Sequence, residues 1–258
     1  MILYEIAEKT RQRVLELKNK RSLSVIKEEA FRLPKGKFLF EKNLSVDEVS
    51  FICEVKKASP SKGIIAEDFP YLEIARDYEA AGAAAISVLT EPYWFLGAAH
   101  YLTEISEAVN IPVLRKDFTV DEYQIYEAKI IGASAVLLIC ALLDTDTLRE
   151  YIKIADSLGL SALVEAHDEE EVHSALDAGA RIIGVNNRNL KTFEVNMQTC
   201  VNLRKLVPEN IIFVAESGIK TREDILALGK IDAVLIGETL MRSADIKVEL
   251  NALKGIKK

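Results

Sequence analysis

One pattern recurs along the chain and narrows its fold more than any other feature. A helix-like segment runs into small residues with a glycine, and a run of β-branched residues and leucine follows. It reads AAGAAAISVL at 80–89, IIGASAVLLI at 130–139, DAGARIIGVN at 177–186 and ALGKIDAVLIG at 227–237. A glycine just past a helix end takes the left-handed conformation that closes the helix. The apolar run after it predicts a strand buried on both faces, as parallel strands are. The runs FICEVK, IPVLRK, SALVEA and IIFVAE complete a set of eight, near 51–56, 84–89, 111–116, 134–139, 161–166, 181–186, 211–216 and 232–237. The intervals match one strand–helix unit each. The segments YLEIARDYEAA, DEYQIYEAKII, DTLREYIKIADSL, EEEVHSALDA and REDILALG carry apolar residues at helical spacing, with acidic residues near their starts, favourable to the helix dipole. Eight alternating units predict an α/β fold of the (β/α)8 TIM-barrel type, with an open doubly wound sheet as the alternative.

The 258 residues suit one barrel domain. Residues 1–47 precede the first strand as an N-terminal helical extension, and 48–258 form the barrel. ILYEIAEKTRQRVLELKN and SLSVIKEEAFRL read as amphipathic helices and KGKFLFEKN as a linking loop. Two roles for the extension stay open: a plug or packing helix, or a lid over the active site.

The formal charge of −7 argues against a nucleic-acid partner, which draws on lysine and arginine contacts to phosphate. The start, MILYEIAEKTRQR, meets Glu5 before a signal-peptide core forms, and no apolar run approaches the roughly 20 residues of a membrane span. A cytoplasmic protein without a membrane partner is expected. Cys53, Cys140 and Cys200 lack metal-ligand spacing and are expected to be buried, reduced thiols. His100, His167 and His173 do not cluster and read as unpaired surface residues. No grouping of His, Asp and Glu suggests a metal.

Barrels of this kind place their chemistry at the C-terminal ends of the strands, and there the charges collect. Strand one ends in Glu54 and Lys56, two residues apart and so on one face. Strand three ends in Lys116-Asp117, strand five in Glu165, strand six in Asn186 and Arg188, and strand seven in Glu216-Ser217. A buried charge costs several kcal/mol unless paired, so five polar strand ends converging on one rim predict a site. The turns SPSKG, AESGI and LIGETLM put glycines where backbone N–H groups approach an anion, two of them after the strands that hold phosphate in this fold. A phosphorylated small-molecule substrate follows, and it accounts for lysines in an acidic chain. Of Trp94, Phe95 and Phe118 near the rim, the last two are the better candidates for a pocket wall.

The stretches CEVKKASPSKG, SVLTEPYWFLG, VLRKDFTVDEYQI, ALVEAHDEEEV, IIGVNNRNL, VAESGI and LIGETLM resemble the indole-3-glycerol phosphate synthase family of tryptophan biosynthesis. That family converts 1-(o-carboxyphenylamino)-1-deoxyribulose 5-phosphate to indole glycerol phosphate, CO2 and water, a carboxy-lyase reaction without metal or organic cofactor. The resemblance implies Lys116 as general acid and Glu165 as general base. It implies Lys56 as the seat of the anthranilate carboxylate, with acid work in dehydration. Glu54, Asn186, Glu216 and Ser217 match the polar shell, Ser59, Gly218 and Gly237 the phosphate loops, and Phe95, Phe118 and Leu190 the wall around the anthranilate ring. Neighbouring lysines and desolvation are expected to lower the pKa of Lys116. Glu238 stands where some members carry a small hydroxylic residue, so its carboxylate is expected to point away from the phosphate. Two rivals remain. Phosphoribosylanthranilate isomerase would show a Cys/Asp pair where this chain has Glu54 and Lys56. A non-catalytic barrel would show eroded rim charges. No obligate protein partner is evident.

Overall fold

The four glycines of the repeat, Gly82, Gly132, Gly179 and Gly229, all adopt the left-handed conformation, with φ between 74° and 91°. Each ends a helical segment and returns the chain to the sheet. The computed structural model describes residues 2–189 and 192–256. Ten strands follow in chain order: β1 (Ser50–Val55), β2 (Ala58–Ser59), β3 (Gly63–Ile64), β4 (Ala85–Leu89), β5 (Val113–Lys116), β6 (Ala135–Ile139), β7 (Ser161–Ala166), β8 (Ile182–Asn186), β9 (Ile212–Glu216) and β10 (Ala233–Ile236). Eight of them, β1 and β4 to β10, pair in parallel, and β1 closes against β10. The barrel predicted from the repeat is therefore present, and the open sheet is excluded. No helix among the described residues is long and apolar enough to cross a membrane.

The sequence reading missed three features. SPSKG folds into a small antiparallel hairpin, β2 with β3. Helices span Ala99–Ala108 and Gln198–Leu203; neither N-cap side chain bonds to the helix backbone, so no capping signal marks their starts. KGKFLFEKN is not merely a linker, because Leu39–Leu44 is helical. By contrast Asp144, Asp168 and Thr221 cap their helices with side-chain oxygens, and their helices were legible.

The extension contributes three helices, α1 (Ile2–Lys20), α2 (Leu23–Arg32) and α3 (Leu39–Leu44). They take up positions at the mouth, on the flank and at the opposite end of the barrel. Helix α1 lies over the mouth, where Ile2, Leu3 and Ile6 join the wall of the central cavity. Helix α2 packs beside the helix Tyr123–Ile130, with Phe31 6.0 Å from the Tyr126 ring. Helix α3 plugs the opposite end: Phe40 and Leu44 are fully buried against Ile52, Leu114, Ile182, Val214 and Ala233. The connection between α2 and α3 passes the end of the helix Thr145–Leu158. There Gly36 and Gly159 lie backbone to backbone, and a Cβ on Gly36 would fall 2.3 Å from the Gly159 carbonyl oxygen.

On four of the barrel strands the inward phase begins apolar and ends polar. Along β1 it runs Ile52, Glu54, then Lys56; along β5, Leu114 then Lys116; along β7, Leu163 then Glu165; along β9, Val214 then Glu216. The inner core thus changes to charge in its final layer, at the mouth.

Candidate active site

A cavity of about 860 Å³ opens at that mouth. Glu54, Lys56, Ser59, Phe95, Lys116, Phe118, Glu165, Asn186, Glu216, Ser217, Gly218 and Gly237 all line it, so every described candidate from the sequence meets in one place. Leu190 lies outside the described residues. Cys53 and Cys200 are buried free thiols, while Cys140 is only partly covered; burial pushes the Cys53 thiol up to about 12.

The centre of the site is a lysine between two carboxylates. Lys116 Nζ donates to Glu165 Oε2 at 3.0 Å and to Glu216 Oε2 at 2.9 Å. Burial opposes the ammonium, but Glu165, Glu216 and Glu54 outweigh it and hold the lysine pKa above its usual value. The lowered value expected from the sequence is therefore corrected. Lys56 is engaged by Glu54 at 2.5 Å, so carboxylates, not lysines, surround Lys116. Burial raises the pKa of Glu165, but Lys116 and His167 outweigh it and hold the carboxyl below the ordinary range. Glu216 goes the other way. Burial and the nearby Glu165 and Glu54 overcome Lys116 and raise it to about 7. Glu165 is thus held as a carboxylate, while Glu216 is the group disposed to carry a proton.

Two glycines make room for this cluster. A Cβ on Gly184 would stand 2.2 Å from Glu216 Oε1, and one on Gly237 would stand 2.6 Å from Glu54 Oε1 and 3.0 Å from Lys56 Nζ. Gly184 could have been suspected from sequence, since glycine inside a strand run marks a close approach. Gly237 was assigned to phosphate alone; it also borders the Glu54–Lys56 pair. Ser217 and Gly218 both have positive φ, 67° and 84°, and the buried Asn187 donates to the Ser217 carbonyl at 3.2 Å. Glu238 turns to Lys62, 3.4 Å away in the β2–β3 hairpin, and to Arg242 at 3.3 Å.

Phe95 and Phe118 face each other across 6.0 Å, and Trp94 does not line the cavity. The Phe95 loop is organised by a residue that the sequence reading passed over. Glu91 is fully buried, and its carboxylate accepts the backbone N–H groups of Tyr93, Trp94 and Phe95 at 2.7–2.9 Å. The buried Asp117 accepts from Thr90 at 2.8 Å and takes Arg13 of α1 on both oxygens at 2.8 Å, tying the mouth-covering helix to the residue beside Lys116. His167 is not an unpaired surface residue. It sits between Glu165 and Glu171, and its spacing of two from Glu165 was the available signal.

Comparison with known proteins identifies relatives of the whole chain. The model of the family described as indole-3-glycerol phosphate synthase matches residues 3–253. An indole-3-glycerol phosphate synthase from Ruminiclostridium cellulolyticum is 64% identical over 258 residues, covering 99% of each chain. One from Endomicrobium trichonymphae is 57% identical over 257 residues, 98% of this chain and 100% of that protein. Among solved structures, KGPDC from Streptococcus mutans superposes with a TM-score of 0.63 at 12% identity, covering 81% of this chain and 97% of its own. The 3-hexulose-6-phosphate synthase from Salmonella typhimurium gives 0.63 at 18%, covering 81% and 98%. At such identities these two share the fold alone. The match along nearly the whole length, and the relatives at 64% and 57%, establish that the chain belongs to the indole-3-glycerol phosphate synthase family, the carboxy-lyases of tryptophan biosynthesis.

Proposed function

We propose that the residues of this mouth divide the ring-closing reaction among three charged centres. The observation that carries the reading is Lys116 held between Glu165 and Glu216 at the floor of a cavity with an aromatic wall. Carbon–carbon bond formation at the ketone of 1-(o-carboxyphenylamino)-1-deoxyribulose 5-phosphate needs a proton or positive charge at the ketone oxygen. Lys116 supplies it, and its raised pKa keeps it charged until the oxyanion develops. Lys56 seats the carboxylate that leaves as CO2 and assists dehydration. Glu165, kept ionised, takes the proton that the new five-membered ring loses as water departs.

Phe95 and Phe118 form a wall against the anthranilate ring, whose faces are apolar. Ser59, Gly218 and Gly237 receive the phosphate, with the left-handed Ser217–Gly218 turn among the phosphate-facing loops. Lys62 exchanges Glu238 for the phosphate when substrate enters. Glu54, Asn186, Glu216 and Ser217 complete the polar shell, and Glu216 holds a proton in reserve for the departing water. We place the reaction in the cytoplasm, with a phosphorylated small molecule as the only partner and no metal or organic cofactor.

The direct test is incubation with the carboxyphenylamino-ribulose phosphate while following indole fluorescence. Steady growth of the signal is expected, with inorganic phosphate at tens of millimolar competing against substrate. A preparation that binds substrate but forms no indole product would overturn the assignment of roles. Phosphate without effect on the rate would overturn the phosphate site.

A further inference from the structure

The mechanism above uses Glu165 as a base but leaves unexplained how it stays one. In the resting site its Oε2 accepts from Lys116. Once Lys116 turns to the substrate ketone, that cation is spent elsewhere. A carboxylate that is 3% exposed, with Glu216 nearby, would then take up a proton from its surroundings and cease to be a base.

The other oxygen of Glu165 has its own cation. His167 follows β7 by one residue, shares the inward phase of Glu165, and puts Nε2 3.3 Å from Glu165 Oε1. The approach is off the line of a good hydrogen bond, since Nε2 is buried without a properly directed acceptor; the attraction is chiefly between charges. The rest of the ring is held from behind. Glu171 Oε2, one turn into the helix Glu169–Asp177, lies 3.0 Å from Nδ1 and accepts the His167 backbone N–H at 2.8 Å. The same helix start is fixed by Asp168, which accepts the Glu171 N–H at 2.9 Å. From the neighbouring strand Cys140 donates its thiol to the Glu171 carbonyl. The charged groups facing the imidazole are thus Glu165 and Glu171, with Asp168 and Cys140 behind them and Lys116 on the far side of Glu165. No other cation is paired with Glu165 among the described residues.

We propose that His167 is a positioning residue for the general base: as an imidazolium clamped by Glu171, it fixes Glu165 Oε1, leaves Oε2 to the substrate, and keeps Glu165 ionised while Lys116 serves the ketone. The proposal rests on the reading of Glu165 as the base. Burial opposes a charged imidazole here, but Glu165 and Glu171 outweigh it and lift His167 to about 10. The cation is therefore permanent over the working range, and the device is electrostatic, not a proton relay.

The test combines a spectroscopic and a kinetic arm. The ring nitrogens of His167 in the full chain, followed by NMR and assigned by elimination through His100→Gln and His173→Gln, both exposed positions, should report an imidazolium up to at least pH 9. In kcat against pH, which reports the substrate complex, His167→Gln should move the acid limb upward by about one unit or more. One pH unit below the shifted limb kcat should stand about tenfold under its plateau, since each unit of pKa above the assay pH costs a factor of ten in ionised base. KM should change less than about threefold, because His167 touches no substrate. Glu171→Gln should shift the limb in the same direction by less. Glu165→Gln separates the two claims. If it retains most of the activity, the base assignment has failed. If it is inactive while His167→Gln keeps the wild-type acid limb and kcat, the positioning role is refuted. A His167 ring that titrates near the ordinary histidine value of about 6.5 refutes it as well, even if the variants fail to fold.

Discussion

Replacing Lys116 by methionine removes one charge, keeps most of the side-chain volume, and should damage two things at once. The chemical loss is the larger. General-acid catalysis is worth about 10²–10⁴ in rate and electrostatic stabilisation of a developing oxyanion roughly 10²–10³, so kcat should drop by at least about 10³. The second effect is read in stability against pH. In the wild type Lys116 separates Glu165 and Glu216, which are 3% and 2% exposed. Without the ammonium the two carboxyls are left in one buried site without the cation that both of them shared, and the pair holds on to a proton that the unfolded chain has already released. A proton bound by the folded state but not by the unfolded one means that stability falls as pH rises, by about 1.4 kcal/mol per pH unit. The wild type already shows part of this slope, because Glu216 is raised to about 7 above the ordinary glutamate value. The variant holds its proton across a further one to two units, so its loss of stability should be about 1 kcal/mol greater at pH 8 than at pH 6. Urea denaturation at the two pH values, with stopped assays of indole product, measures both. Lys57→Met is the control: its side chain lies 6.0 Å from the Phe69 ring, and Lys57 does not line the cavity, so kcat should change less than about threefold. A Lys116→Met protein within tenfold of wild-type kcat, or one whose stability loss is the same at both pH values, would refute the reasoning.

Gly237→Ala should lower kcat as well as raise KM, because the new methyl meets Glu54 and Lys56 at 2.6–3.0 Å; a pure KM effect in steady-state kinetics would return Gly237 to phosphate binding alone. Gly184→Ala should push Glu216 off Lys116 and destabilise by about 1–3 kcal/mol from overpacking, measured by urea denaturation alongside the loss of kcat. The extension should separate into its two functions. Phe40→Ala, in the plug, should cost about 3–5 kcal/mol of stability with KM little changed. Arg13→Met, which unties α1 from Asp117, should raise KM at a smaller cost in stability, since Arg115 and Thr90 still attend that carboxylate.

Much of this molecule was legible because periodicity and punctuation agree. The repeat glycines announced the helix ends, and the step of two from Ile52 to Glu54 to Lys56 announced which side chains enter the barrel. What escaped depended on contacts distant in sequence. Nothing in TEPYWF says that the Glu91 carboxylate folds back on three successive N–H groups. Nothing in ELKNK or KTRQR says that Arg13 crosses to a residue more than a hundred positions away. The sign of the Lys116 shift was misjudged for the same reason: the sequence shows lysines close to one another, whereas the barrel interleaves them with Glu54, Glu165 and Glu216. Helix α3 lacks a side-chain cap, and its start at Phe38 has a left-handed backbone, φ 54°, so nothing local marked it.

The closure of β1 on β10 pairs Ser50 with Ala233 and Cys53 with Ile236, and the plug residues Phe40 and Leu44 rest partly on Val214 and Ala233. During synthesis the amino-terminal segment therefore leaves the ribosome nearly two hundred residues before the last of its partners exists. Until then β1 has an unpaired edge and the plug has only part of its seat, the condition that slows folding of chains with distant contacts and exposes them to association. The segments made first thus wait longest for their final partners.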